Sequence, residues 1–279
     1  MKPLAHPLSI HRVTLRSPRA GTAQASLLML ALAGLAAPLG ARAQSDASEP
    51  GSTGAKFTLG AGAVFLPRFE GSDEYKLRGL PLISYRNGRF FADAFRGIGY
   101  DVSPVQGLQF GPVVSYRFGR KESDADRLRG LGSVNNGADL GAFVRWDFRP
   151  FFLHATLKQG LGGDVTGAQM NLGAGYSMSL SPADRLVFDA SVDWADREVM
   201  QAYFGVTGAQ AARSGLAAYS ADAGVRRYGI GALWTHSFTP QWSSSVGVAV
   251  YRLGDEAANS SITQDRNAAA LSVGVAYRF

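Results

Sequence analysis

The sequence of 279 residues has no cysteine, so neither a disulfide nor a thiolate can enter its chemistry. It also lacks the run of ~20 apolar residues that a membrane-crossing helix needs. Its longest apolar stretch runs only from Ala25 to Ala37. Histidine is scarce, and beyond position 43 only His154 and His236 remain. Excess charge is missing too, once the N-terminal stretch is set apart. Lys2, Arg12, Arg16, Arg19 and Arg42 fall in the first 43 residues, which hold no Asp or Glu. The rest carries 23 basic against 22 acidic residues, so the formal net charge of +6 drops to +1. No basic patch is left to recruit a nucleic acid. What abounds is glycine, at 34 residues, with aromatics at 11%. Both suit long twisted strands better than helices.

The N-terminal stretch has three parts: a basic region over 1–24, the apolar run to Ala37, and a small-x-small site at Ala41-Arg42-Ala43. This is the pattern of a secretory signal peptide, with cleavage expected after Ala43 and a mature chain starting at Gln44. No cysteine follows the run, which excludes a lipoprotein. Residues 44–54, rich in Ser, Gly, Ala and Glu, are expected to be a flexible periplasmic tether.

From Ala55 onward the dominant signal is alternation with period two. Phe57, Leu59, Ala61, Ala63 and Phe65 share one face of a first strand, with Lys56, Thr58 and Gly60 opposite. Leu108, Phe110, Val114 and Tyr116 oppose Gln109, Ser115 and Arg117. Leu140, Ala142, Val144 and Trp146 oppose Asp139, Gly141, Arg145 and Asp147. Leu186, Phe188, Ala190, Val192 and Trp194 oppose Arg185, Asp189 and Asp193. The chain ends with Leu271, Val273, Val275, Tyr277 and Phe279 on one face and Ser272, Gly274 and Arg278 on the other. Segments of ~10 residues are long enough to cross a bilayer at a tilt, whereas strands of soluble sandwiches run ~5–6. Lipid on one face and a polar lumen on the other, with every backbone group paired by closure, is the arrangement such strands require.

Short connections with turn chemistry alternate with long polar ones. The short ones include Asn87-Gly88, Ser103 to Gly107, Arg149-Pro150, Ser181 to Asp184 and Thr239-Pro240. The long ones are 66–76, 119–135, 161–167, 196–222 and 253–266. With a periplasmic N-terminus the long loops are extracellular. A single strand over 89–103 would break that alternation. Splitting it into 89–94 and 97–103, with a bend at Phe95-Arg96-Gly97, restores it. The expected fold is therefore all-β: one closed antiparallel transmembrane β-barrel over 55–279, of twelve strands, with ten the alternative. The expected location is the outer membrane, among lipid and lipopolysaccharide.

No catalytic, cofactor or metal site emerges. His154, expected in the lumen beside Thr156 and Lys158, has no nucleophile placed for it by strand periodicity. His236 is expected on the outward face near the periplasmic rim, beside Trp234 and Phe238. Glu122, Asp124 and Asp126 offer hard oxygen ligands, but they lack the spacing of a calcium loop and are flanked by Arg120, Lys121, Arg127 and Arg129. Trp146, Trp194, Trp234 and Trp242 fit an interfacial girdle. The lumen-facing charges have mixed sign: Lys56, Arg117, Arg145, Lys158, Arg185, Arg227 and Arg278 with Asp93, Asp101, Asp139, Asp147, Asp189 and Asp193. Mixed charge favours internal pairing over a selective pore. Loop 196–222 is long enough to fold inward as a plug.

Several segments resemble the MltA-interacting protein family, also called MipA/OmpV. They are Phe69-Glu70-Gly71-Ser72-Asp73 with Leu80-Pro81-Leu82, Gly97-Ile98-Gly99-Tyr100, Tyr116 to Asp124, Leu128 to Gly132, Met200 to Thr207, Ser214 to Tyr219, and the terminal Tyr277-Arg278-Phe279. The resemblance spans 57–279 in order. It implies a non-enzymatic outer-membrane barrel that acts as a scaffold, bringing a lytic transglycosylase together with a penicillin-binding protein. It implies no catalytic residue. Tyr277 and Phe279 resemble the signal read by the barrel-assembly machinery. The alternatives are a small-solute channel and an adhesin acting through the long loops.

Overall fold

The structure, a computed structural model, describes residues 54–279. The expected signal peptide and nearly all of the tether lie outside the described residues. Twelve antiparallel strands close into one barrel, each beside its sequence neighbours, with β1 against β12. They are β1 (Lys56–Pro67), β2 (Tyr75–Asn87), β3 (Phe90–Asp93), β4 (Gly97–Tyr100), β5 (Leu108–Arg117) and β6 (Gly137–Phe148). The second half comprises β7 (Phe151–Gly160), β8 (Ala168–Ser179), β9 (Asp184–Ala195), β10 (Gly224–Ser237), β11 (Trp242–Leu253) and β12 (Asn267–Arg278). Among the described residues no helix is long and apolar enough to cross a membrane.

Alternation sets the two faces. In β11, Val246, Val248 and Val250 are exposed outward, while Ala249 and Tyr251 are buried inward. In β12, Leu271, Val273 and Val275 face out and Ala270 and Ala276 face in. Aromatic chains mark the periplasmic rim. Trp146, Phe148, Phe151 and Tyr176 follow one another at centroid spacings of 5.1, 6.1 and 5.2 Å. Trp242, Tyr277, Phe279 and Phe57 do so at 5.1, 4.8 and 5.5 Å. Amphipathic rings at that depth anchor the barrel in the interface. Trp194 pairs instead with Met170 and Val225 at the opposite, extracellular end of its strand.

Two expectations need correction. The strands drawn over 89–94 and 97–103 are only four residues each. The Asp93 carboxylate accepts the backbone N–H of Phe95 and of Arg96, which starts the bend at once, and Gly97 completes it at φ +95. The Asp101 carboxylate accepts the Ser103 N–H and turns the chain out of β4 equally early. The long loops, expected to be polar, carry apolar cores of their own. Three short helices sit in them: α1 (Arg197–Phe204), α2 (Gly208–Ser214) and α3 (Asp255–Ala258).

Candidate functional site

The lumen is the natural place for function in a barrel of this size, and its extracellular half is filled. Asp196 caps α1 by accepting the Val199 N–H. Val199, Met200, Tyr203 and Phe204 lie on one face of that helix and are buried. They pack against inward residues of the wall: Val64 and Leu66 of β1, Leu80 of β2, Tyr251 and Leu253 of β11 and Ala270 of β12. The α1 part of loop 196–222 is thus a plug. A second cluster lies above it, where Phe69, Ala125, Leu128, Leu131, Val206 and Ile262 join four extracellular loops into a cap.

Polar contacts lock the plug. Arg120 Nη1 donates to the Tyr203 carbonyl at 2.7 Å, and Tyr203 Oη donates to the Phe118 carbonyl at 3.0 Å. Burial pushes the Arg120 guanidinium down to about 10 and the Tyr203 phenol up to about 12. Beside them lies an ionic network. A β-bulge between Val225 and Arg227 sends both Arg226 and Arg227 into the interior. Arg226 Nε donates to Glu70 at 2.9 Å and stacks 4.9 Å over the Tyr203 ring. Arg227 pairs with Asp193 and reaches Glu70 at 3.5 Å. Two cations and two carboxylates balance, as burial demands.

The lumen charges expected from sequence fall into several arrangements. Arg117 of β5 meets Asp139 of β6 at 3.0 Å, both nearly fully buried. Arg145 meets Asp147 on its own strand at 2.8 Å and lies 3.9 Å over the Phe152 ring. His154 Nε2 and Asp189 are 2.8 Å apart across the lumen wall. Lys158 of β7 lies between its register partners, Gly141 of β6 and Gln169 of β8. Arg185 donates to Ser177 Oγ rather than to an acid, and Arg278 donates to the Pro240 carbonyl at the periplasmic rim. Asp93 and Asp101 hold turns, and Lys56 opens β1 at the same rim. Outside the lumen, His236 and the Trp234 indole both meet Asp184, at 2.8 and 3.1 Å.

The loop acids are engaged locally. Glu122 accepts the Gly130 N–H, Asp126 pairs with Arg129, and Asp124 pairs with Lys76 of β2. Among the described residues no three acidic or histidine side chains converge as a metal site would require. Sequence reasoning missed Glu70, Arg226, Tyr203 and Tyr251. The helix was legible: Asp196 followed by apolar residues at 199, 200, 203 and 204 is an N-cap with helical spacing. The role of Glu70 was not, because its partners lie 156 residues away.

A closed twelve-stranded barrel with an apolar outer band, an aromatic rim and a plugged lumen is an outer-membrane protein. More narrowly, the profile of MltA-interacting protein MipA matches residues 59–279, and the chain belongs to that family. No curated protein matches it. Among solved structures it is similar to a NanC porin, with a TM-score of 0.42 and 9% identity over 79% of this chain and 98% of that one. It is also similar to OmpF of Salmonella typhi in complex with daunomycin, with a TM-score of 0.39 and 12% identity over 81% and 97%. For OmpT of Vibrio cholerae the TM-score is 0.36, with 5% identity over 81% and 97%.

Proposed function

We propose that this chain is a non-enzymatic, non-conducting barrel that serves as a membrane-held assembly point for murein-synthesising and murein-degrading proteins at the periplasmic face. Membership of a family described as MltA-interacting supports the partner class. The plug supports the non-conducting part: α1 fills the upper lumen, and buried charges of the wall beside it are paired, Arg117 with Asp139 and Arg227 with Asp193. Substrates have no wide aqueous path in such an interior. The surface offered to the periplasm consists of short turns, the aromatic rim and the segment before β1. An interface of standard size takes ~800 Å² per partner, more than the turns alone supply. The tether over 44–54 is therefore the contact most needed.

Two measurements test this. Purified protein in a planar bilayer is expected to show little or no steady conductance. Tagged mature protein is expected to recover a lytic transglycosylase and a penicillin-binding protein from detergent extracts. Trimming 45–54 should reduce that recovery more than trimming any extracellular loop. Large ion-selective conductance from intact protein, with no periplasmic partner recovered, would replace the scaffold by a channel.

A further inference from the structure

The barrel wall is incomplete in one sector. β3 and β4 rise only to the bend at 94–96. Above it β2 keeps its ladder to β1 over 75–82 and, among the described residues, has none on its other side. β5 likewise keeps its ladder to β6 over 115–117 and has none toward β4. Among the described residues no ladder joins β2 to β5 across the opening. Eight residues at ~3.3 Å each give an open edge of roughly 26 Å, too long for the bend to cover.

The backbone direction is known, because the Ile83 carbonyl accepts the Ala94 N–H at 3.0 Å. Leu77, Gly79 and Pro81 share its parity and point the same way. Among the described residues the N–H groups of Leu77 and Gly79 meet no backbone acceptor on that side. Outside, the opening is framed by exposed apolar side chains: Leu77 at 72% exposure, Ile83, Ile98, Val114 and Tyr116. An open strand edge facing hydrocarbon is intolerable unless something polar reaches it. A second barrel is a poor candidate for strand pairing. Pro81 on this edge has no N–H to donate.

Inside, the opening is basic. Lys76 and Arg78 of β2 point inward, and the Asp124 carboxylate lies 3.3 and 3.7 Å from them. Asp124 belongs to the loop that crosses from the end of β5 to the top of β2. The Arg68 guanidinium also donates to its carbonyl, at 3.1 Å. A carboxylate therefore already occupies the position where a basic pair meets the open edge. We infer that this opening is a lateral binding site for an anionic single-chain amphiphile drawn from the membrane. Its carboxylate or phosphate head exchanges with Asp124 on Lys76 and Arg78 and accepts the Leu77 and Gly79 N–H groups, and its tail runs outward along the exposed Leu77, Ile98 and Val114.

The test uses the full mature barrel in nanodiscs and three photoreactive probes of equal chain length: a fatty acid, a monoalkyl phosphate and a neutral monoacylglycerol. At least one of the two anionic probes is expected to label 75–83 and 110–117 selectively, and the neutral probe is expected to label the lipid-facing wall evenly. Lys76→Gln with Arg78→Gln should lower anionic labelling about tenfold, the effect of losing charge-assisted hydrogen bonds. Asp124→Asn should raise it, because the competing carboxylate is gone. Gly79→Trp should abolish it with heat-modifiable gel mobility unchanged, since a Cβ at Gly79 has no neighbour within 4 Å. Identical labelling by neutral and anionic probes would overturn the inference. So would indifference to Asp124→Asn, or cross-linking of the β2 edge to a second copy.

Discussion

Single residues in this barrel are judged by which of two solvents they meet. Val248 faces outward from β11, paired with Leu271 of β12 and Ala232 of β10. Arginine there would sit near the bilayer midplane, so Val248→Arg should lose ~2–4 kcal/mol of stability. Denaturant unfolding from lipid vesicles measures this, and an unchanged midpoint would put Val248 outside the hydrocarbon. Its neighbour Ala249 faces in, 3% exposed, opposite Gly231 and Ala270. Arginine there meets crowding rather than lipid, and any loss reports overpacking. The same logic explains why Arg226 and Arg227 can coexist in the interior. The bulge turns both inward, but Glu70 and Asp193 neutralise them.

At the scale of elements, α1 is held by apolar burial and by a few directed bonds, whereas the strands are held by ladders, on both sides over most of their length. The plug should therefore be separable from the wall. Met200→Asp with Phe204→Asp places two carboxylates where both side chains are fully buried. The expected result is new conductance and proteolysis within 197–222, with gel mobility of the folded barrel retained. Deleting Gln210 to Leu216 is a weaker experiment than the length of the loop suggests. Those residues form most of α2 and the cap beside Gly130 and Leu131, not the buried helix. Conductance after that deletion equal to the α1 double variant would move the plug to α2.

For the whole molecule, closure is the decisive event, and β12 completes it. The Phe279 N–H donates to the Phe57 carbonyl at 2.9 Å, tying the last residue to the first strand. We propose that Tyr277 and Phe279 also form the signal by which the barrel is assembled. Phe279→Ser should then lower the amount of folded barrel in the outer membrane several-fold. Refolding in detergent should be much less affected, because one rim ring is a small part of the barrel's contacts. Equal losses in both settings would mean that Phe279 acts only through packing.

Period-two alternation by itself determined the barrel and its faces, because each strand residue meets lipid or lumen according to parity alone, and the alternation of short and long connections favoured twelve strands over ten. It placed Leu271 outward and Arg117, Asp139 and Asp193 inward without any knowledge of neighbours. Parity could not say which charges would meet. Arg117 finds Asp139 because β5 pairs with β6 at Ser115↔Asp139, whereas Arg185 finds only Ser177. The reach of β3 and β4, the inward turn of Arg226 and the burial of Glu70 were likewise decided only in three dimensions. Each depends on a bend, a bulge or a loop contact whose partner is remote in sequence, and local pattern carries no information about partners that only closure brings together.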